Sequence, residues 1–359
     1  MDYEYNVRSP GRVNLIGEHT DYTYGYVMPL ATDLHTSLEA TPADAEVTVH
    51  SKALGESGSF STDDPTPDGD WLDYVKGCYA VLQEEGYEPT AFEGRLGGTL
   101  PIGSGLSSSA SLELAVLAFL NEASDLGLSR EKLATLGQRV ENDFVGVSCG
   151  IMDQFAVALG EDGHALQIDT ETLDYDRIPV PDGVEIVVFH TGVEHELVDS
   201  EYNQRRETVE AALAELGAPT SKAVSVDDLD GLPAGQRQRL GYVVRENNRV
   251  ERARAALEAG DVDAFGEILV DAHRDIAANY EASCSELDYF VDRAVKAGAY
   301  GARLTGAGWG GSAIALVDKA ETETFAETIS DAYRDQFLDH YASYHVVTPS
   351  SGVAVDRNG

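Results

Sequence analysis

The sequence predicts a two-domain α+β protein. Its 359 residues exceed what one hydrophobic core usually organises, so two domains of ordinary size are expected. Residues 5–50 alternate short apolar runs with turn residues, which is typical of β structure. The chain after residue 184 is richer in long helical patterns. A boundary near residue 182 therefore divides an N-terminal domain, 1–182, from a C-terminal domain, 183–359.

In the first domain, apolar spacing predicts the elements in order. A strand is expected over 46–50, a helix over 71–85, a strand near 92–100 and a helix from about 110 to 120. Further helices are expected over 129–144 and from about residue 150. A glycine- and serine-rich segment, 101–110, joins the strand to the helix that follows it.

The second domain is predicted to begin with a strand over 184–189. The expected helices cover 203–216, 235–258, 262–278 and 285–297, and Ser285 and Asp288 have the spacing of a capping box. Two short strands, 302–305 and 312–317, flank the glycine-rich segment 306–311.

The net charge excludes several classes of partner. The chain has 63 Asp and Glu against 25 Lys and Arg, a formal net charge of −38. A polyanion is repelled by phosphate backbones and anionic lipids, so neither nucleic acid nor a membrane surface is an expected partner. Only six lysines are present, and this acidic, lysine-poor composition resembles that of proteins from salt-loving organisms. The alternative is an acidic protein from an ordinary cytoplasm.

The cysteines and the N-terminus indicate a cytoplasmic protein. Cys78, Cys149 and Cys284 are odd in number and lack paired spacing, which suits a reducing compartment. Residues 1–11 do not read as a signal peptide, and no window is an uninterrupted 18-residue apolar stretch.

The segment from Gly103 to Ser109 has the composition of a phosphate-binding loop. Glycines let backbone N–H groups approach an anion, and the start of a helix adds its positive dipole end. Serine hydroxyls reach phosphate oxygens or magnesium. The Gly-Lys-Ser/Thr ending of a Walker loop is absent, and a simple turn with a helix N-cap is the alternative interpretation.

A second cluster places Arg12, Glu18, His19 and Asp21 within ten residues. Such closely spaced donors and acceptors suit a polyhydroxylated ligand, although any one of them alone is more often a solvated loop charge. Asp153 is held among apolar residues, where a carboxylate can accept a hydroxyl proton or simply stabilise a helix N-terminus.

Taken together and in this order, the segments 11–22, 101–111, 149–155 and 301–311 resemble those of the GHMP kinases. The first is similar to the signature of the galactokinase family. The likeness continues at 200–206, 244–250 and 287–288. It implies a two-domain α+β GHMP kinase fold with a ferredoxin-like C-terminal domain, and ATP and sugar bound between the domains.

The resemblance also implies roles for individual residues. Asp153 would be the catalytic base, Arg12 would stabilise charge, and Ser109 and Glu141 would hold Mg²⁺. The residues implied to bind the sugar are Glu18, His19, Thr20, Asp21, Gly150 and Tyr202. Those implied to bind ATP are Ser51, Gly103, Ser104, Gly105, Leu106, Ser107, Ser108 and Ser109. The implied reaction transfers phosphate from MgATP to the anomeric hydroxyl of galactose, and a monomer is compatible with it.

Several departures from that family leave alternatives open. Thr23-Tyr24-Gly25 replaces the usual Asn-Gly-Gly turn, Trp309 a smaller aromatic residue, and Tyr242 a common histidine. The other substrates to consider are N-acetylgalactosamine, arabinose, galacturonate and mevalonate. A sensor that binds sugar and ATP without turnover is the alternative from another class, and the intact Arg12 and Asp153 argue against it.

Overall fold

The computed structural model describes residues 3–101, 103, 105–147, 149–193, 198–340 and 342–358, apart from the side chains of 198 and 199. It has an α+β architecture, as predicted. The strands are β1 Tyr5–Asn14, β2 Tyr26–Val27, β3 Pro29–Ala43, β4 Glu46–Ser51, β5 Glu56–Ser61, β6 Ala91–Gly98, β7 His164–Asp169, β8 Tyr175–Pro179, β9 Val184–His190, β10 Gly301–Thr305, β11 Ser312–Asp318, β12 Ser343–Val347 and β13 Ala354–Arg357. The α-helices are α1 Asp73–Glu84, α2 Ser108–Ala123, α3 Arg130–Arg139, α4 Met152–Leu159, α5 Val198–Leu216, α6 Ala234–Glu258, α7 Val262–Asp275, α8 Ser285–Lys296 and α9 Thr322–Gln336.

The chain divides into two compact units. The first unit comprises Met1–Arg12, Ala31–Asp162 and Ser350–Gly359, and the second comprises Val13–Leu30 and Gly163–Pro349. The predicted domain boundary at residue 182 stays a prediction.

A six-stranded mixed sheet and α1 to α4 build the first unit. The strand order is β13-β1-β3-β6-β4-β5, in which β4 and β6 are parallel. Helix α2 is apolar nearly all round, so it is buried, and its Phe119 meets Tyr5 of β1 and Phe92 of β6 at ring separations of 5.4 and 4.9 Å. The loop that precedes α2 is therefore fixed to a rigid element.

An antiparallel sheet of order β10-β11-β9-β12 organises the second unit, beside a three-stranded sheet β2-β7-β8. The four strands and their helices follow one another as βαββαβ, with helices α5 to α8 between β9 and β10 and α9 between β11 and β12. This is the predicted ferredoxin-like arrangement. Phe189 of β9 stacks on Phe290 of α8 at 4.6 Å, in a core that also contains Tyr333.

The predicted elements are present with small shifts at their ends, and one prediction is wrong. Ser285 does not cap α8: Cys284 is the N-cap residue, the Ser285 hydroxyl donates to Glu286, and Asp288 instead accepts hydrogen bonds from Ser283 and His273. The capping-box spacing is present, but the two side chains bond to other partners. Helices α3 and α7 each end in a π-helical segment, Val140–Val145 and Ile276–Tyr280.

Candidate active site

Arg12 and Asp153 form a two-pronged ion pair in the first unit. Arg12 Nε and Nη2 donate to the two Asp153 carboxylate oxygens at 2.6 and 2.7 Å. Arg12 is the last residue of β1 that belongs to the first unit, and Asp153 lies in the first turn of α4. The fork geometry fixes both side chains, because two parallel bonds leave the carboxylate little freedom to rotate. The structure thus brings together two residues that are 141 positions apart in the sequence.

The same pair is joined to the glycine- and serine-rich loop. Arg12 Nη1 donates to the Gly105 carbonyl at 2.8 Å, its backbone N–H donates to the Leu106 carbonyl at 3.0 Å, and the Ser107 hydroxyl donates to Asp153. Ser107, the N-cap of α2, has a left-handed backbone with φ of 57°. That conformation is rare for a serine, and rare conformations persist where surrounding contacts enforce them. The start of α2 is thereby held beside the Arg12–Asp153 pair.

A cavity of about 490 Å³ opens beside the start of α2. It is mostly apolar, with hydroxyl and ammonium groups on its wall, as expected for a site that takes a base and phosphates. Its lining residues are Thr36, Ser51, Lys52, Ala53, Leu54, Trp71, Tyr74, Leu96, Gly97, Gly98, Leu100, Ser108, Ser109 and Leu112. Ser51, Ser108 and Ser109, all predicted ATP ligands, therefore share one cavity. Gly103 and Gly105 lie exposed in the loop with positive φ, and Ser104 lies outside the described residues.

Ser109 and Glu141 offer the hard oxygen donors that Mg²⁺ prefers. Ser109 is in the first turn of α2, and Glu141 is the second residue of the π-helical segment Val140–Val145. Glu141 is 7% exposed and has no ion-pair partner among the described residues. A buried carboxylate without a cationic partner fits a role in holding a cation.

Two titratable groups feel the negative charge of Glu141. Burial, followed by the negative charge of Glu141, raises the pKa of the Cys149 thiol well above its usual range. Burial and the same carboxylate also raise the pKa of Glu113, which lies one turn after Ser109 on α2. Burial and the charge of Glu141 thus disfavour the charged form of both groups.

Glu18 belongs to the second unit, where it is buried. Its side chain is 1% exposed and pairs with Arg303 of β10, which also pairs with Glu246 of α6 at 2.8 Å. Burial raises the pKa of Glu18 to about 7, and the charge of Arg303 opposes that rise. The predicted sugar ligand is thus a core carboxylate held by an arginine, in contrast to a solvated loop charge.

His19 lies within a cluster of aromatic rings in the second unit. Its ring is 4.6 Å from that of Tyr280, 5.5 Å from Tyr202 and 5.8 Å from Trp309, and Tyr22 donates or accepts a hydrogen bond with Tyr280. Burial lowers the pKa of His19 to about 4, so the ring is neutral at pH 7. His19 Nε2 is 2.9 Å from the Ala307 carbonyl, so a proton on Nε2 leaves Nδ1 as an acceptor.

The other residues predicted to bind the sugar belong to different units of the chain. Thr20 is fully buried, and its hydroxyl lies within hydrogen-bond distance of the Gly17 and Tyr26 carbonyls, so it closes its own loop. Asp21 begins a 3₁₀ turn in the second unit, which also holds Tyr202 of α5. Gly150 is in the first unit, three residues before Asp153.

Several residues of these clusters were missed by the sequence predictions. Trp71 and Tyr74 fall within the stretch 71–85, which was predicted only as a helix, yet both line the cavity. Tyr280 and Arg303 lie far from Glu18 and His19 in the sequence and carry no local signal. The π-helical end of α7 is what brings the Tyr280 ring to His19, and no spacing rule in the sequence marks it.

Three protein-family models match parts of the chain. Residues 73–161 match the model of the GHMP kinases N terminal domain, 253–335 that of the GHMP kinases C terminal domain, and 2–42 the galactokinase galactose-binding signature. Fold and site together define a kinase of the GHMP class.

Full-length relatives narrow the class further. The galactokinases of Thermococcus kodakarensis and Pyrococcus furiosus are 54% and 50% identical to the chain, in each case over 97% of this chain and 99% of the relative. The crystal structure of Lactococcus lactis galactokinase complexed with galactose superposes with a TM-score of 0.92 at 36% identity, covering 98% of this chain and 95% of that one. The chain belongs to the galactokinase family.

Proposed function

We propose that the protein transfers the terminal phosphoryl group of ATP to the anomeric hydroxyl of galactose, which yields galactose 1-phosphate and ADP. The observation that carries this proposal is the bidentate Arg12–Asp153 pair, held against the loop that precedes α2. Phosphoryl transfer requires alignment and neutralisation of charge more than covalent chemistry. A fixed carboxylate and guanidinium at a phosphate loop supply both.

In this mechanism Asp153 accepts the proton of the attacking hydroxyl and orients its oxygen. Arg12 holds the carboxylate and offsets charge that develops on the transferring phosphoryl group. Backbone N–H groups of the loop, with the start of α2, bind phosphate oxygens of ATP. The base and ribose are proposed to occupy the cavity lined by Ser51 and Trp71.

Ser109 and Glu141 are the residues that would hold Mg²⁺. When bound, the ion neutralises phosphate charge. The Ser109 hydroxyl and the Glu141 carboxylate would supply oxygen ligands to the ion.

Galactose is the proposed sugar because the chain carries the family's galactose-binding signature and the Lactococcus relative was crystallised with galactose. Glu18, His19, Asp21 and Tyr202 are the proposed recognition residues, with Gly150 contributing from its backbone. His19 and Glu18 sit on a closely packed loop, where one misplaced hydroxyl leaves a buried polar group unpaired.

The test is ADP release with a panel of sugars in high salt. We expect turnover of galactose and, for glucose, a value of kcat/KM lower by about 5- to 150-fold or more, from an unpaired-group cost of about 1–3 kcal/mol. The panel includes N-acetylgalactosamine, arabinose, galacturonate and mevalonate. Equal turnover of glucose and galactose would contradict the assignment, and binding of galactose and ATP without ADP release would favour a sensor.

The proposed setting is a reducing cytoplasm of high ionic strength, with no nucleic acid or membrane partner. The net charge of −38 and the three cysteines support it, and all three cysteines are free thiols in the structure. Within the part of the chain that the structure describes, no helix is long and apolar enough to cross a bilayer.

A further inference from the structure

The recognition loop, residues 17–26, has an unusual backbone. Gly17, His19 and Tyr24 have φ values of 101°, 62° and 58°, all in the left-handed region. Two of the three are not glycine, and such residues disfavour this conformation because Cβ crowds the following carbonyl. A loop of this kind keeps its geometry only where surrounding contacts impose it.

Helix α6 supplies three such contacts from neighbouring turns. The Tyr242 hydroxyl donates to the Glu18 carbonyl at 3.1 Å, and Glu246 Oε1 accepts from the Gly17 backbone N–H at 3.0 Å. Asn247 Oδ1 accepts from the Tyr26 backbone N–H at 2.9 Å. Both ends of the recognition loop are therefore bonded to one helix. The packing is close, since a Cβ on Gly25 would collide with Asn247 Oδ1.

The side chain of Glu18 is held from the same helix through Arg303. Arg303 Nη1 donates to Glu246 at 2.8 Å while its Nη2 contacts Glu18, and the side chains of all three are at most 1% exposed. Arg249 continues the series, pairing with Glu246 at 2.7 Å. Buried charges persist only where each has a partner, so the position of Glu18 is tied to that of α6.

We propose that Tyr242, Glu246, Asn247 and Arg303, the loop clamp, are positioning residues that set the affinity for galactose by holding the recognition loop in its binding conformation. This inference rests on the proposed function. The clamp acts through Glu18 and His19 and takes no part in phosphoryl transfer.

A positioning role predicts a particular kinetic pattern. If a variant lowers the fraction of molecules with a competent loop, the apparent affinity falls by that fraction, and saturating sugar restores turnover. A variant that merely reduces the amount of folded enzyme lowers kcat and leaves KM unchanged. Comparing the change in KM with the change in kcat therefore distinguishes a positioning role from a general loss of folded enzyme.

The test compares two adjacent asparagines. Asn247→Ala removes a clamp contact, whereas the exposed Asn248 donates to the Val244 carbonyl of its own helix, so Asn248→Ala is the matched control. For Asn247→Ala we expect KM for galactose to rise about 5- to 150-fold, because the Tyr26 N–H is left unpaired, with kcat and KM for ATP within about threefold. Asn248→Ala should match the parent.

Tyr242→Phe keeps the ring and removes only the hydroxyl, so it tests the clamp even if Asn247→Ala fails to fold. We expect its galactose KM to rise about 3- to 10-fold. Unchanged galactose KM in Tyr242→Phe and in any folded Asn247→Ala, or a lower kcat at unchanged KM, overturns the inference.

Calorimetric titration of galactose into the same variants separates the two proposals. If the parent binds galactose but never phosphorylates it, the proposed function fails, and weaker binding by the clamp variants still supports the clamp. If the parent turns over galactose and the clamp variants bind it like the parent, the clamp fails alone. A parent that does not bind galactose overturns both.

Discussion

At the scale of single residues, the carboxylate of Asp153 is fully hydrogen-bonded within the protein. Arg12 occupies both of its oxygens, and Ser107 donates to one of them. A carboxylate with three donors is held in one orientation, so its contribution is positional as well as basic.

Asp153→Asn is expected to lower kcat by a factor on the order of 10² to 10⁴, the usual effect of losing a general base. Galactose and ATP should still bind, because an amide has nearly the same volume. Steady-state ADP release and calorimetric binding measure the two effects. Asp143→Asn, which alters an exposed ion pair with Arg139, is the control and should change neither. Turnover by Asp153→Asn at the parent rate would show that the base is another group.

His19 makes a prediction about stability and pH. Its pKa is about 4 in the folded protein against 6.5 as the ordinary value, mainly because the ring is buried. Between these values the unfolded state binds more protons, so the stability from neutral His19 is present above pH 6.5 and is lost as pH falls toward 4.

Between pH 7 and pH 5 the parent should lose about 2 kcal/mol more of its free energy of unfolding than His19→Gln loses. Urea denaturation at both pH values measures the difference. His50→Gln, at an exposed strand position, serves as the control and should behave as the parent does. An identical loss in the parent and in His19→Gln would mean that His19 titrates normally.

At the scale of elements, both π-helical segments carry candidate residues. Val140–Val145 begins with Val140 and Glu141, and Ile276–Tyr280 ends with the ring that meets His19. Such insertions turn a helix's side chains out of register and often occur at functional sites. Strand β10 contributes in another way, since its fully buried Arg303 compensates two carboxylates from other elements.

Arg303→Met is expected to lower the free energy of unfolding by about 3–5 kcal/mol, because Glu18 and Glu246 are then buried with one cation fewer. Urea denaturation followed by circular dichroism measures this change. Arg274→Met removes a surface pair with Asp271 at 73% arginine exposure, and should change stability by less than about 0.5 kcal/mol. Equal effects of the two variants would rule out a special role for the buried pair.

At the scale of the whole molecule, charge is the dominant property. The chain has 63 acidic side chains and 25 basic ones. The excess acidic side chains repel one another more strongly in the folded state than in the expanded one. Many of the basic side chains of the described residues are already paired, including a connected group of ion pairs around Glu246, Arg249, Asp275 and Arg303. The remaining acidic excess can be balanced only by counterions.

Added KCl should therefore raise the melting temperature and sharpen the transition, since the screening length falls to about 3 Å at 1 M salt. Thermal melts followed by circular dichroism from low salt to molar KCl measure this. Glycerol at equal osmolality is the control for effects other than screening. Full, cooperative stability at low salt that molar KCl leaves unchanged would contradict the expectation.

The sequence by itself determined the fold class, most elements and the family, and it predicted the residues that are proposed here to carry the chemistry. Periodicity predicts helices such as 235–258 because a core-facing helix must repeat its apolar side, and this one proved to be Ala234–Glu258. Closely spaced groups such as Arg12, Glu18, His19 and Asp21 are visible because they adjoin in the chain. The charge, and the salt dependence expected from it, also need only composition.

Only the tertiary structure decided which groups meet. Arg303 and Glu18 are 285 positions apart, and Tyr280 reaches His19 through a π-helical turn. The tertiary structure also decided that the Ser285 side chain does not cap α8. Asp288, its expected partner, accepts hydrogen bonds from His273 and Ser283 instead. Contacts of this kind depend on burial and on close packing between distant segments. A pattern in the sequence encodes neither burial nor packing. The protonation of these side chains and the identity of their partners therefore follow only from the folded structure.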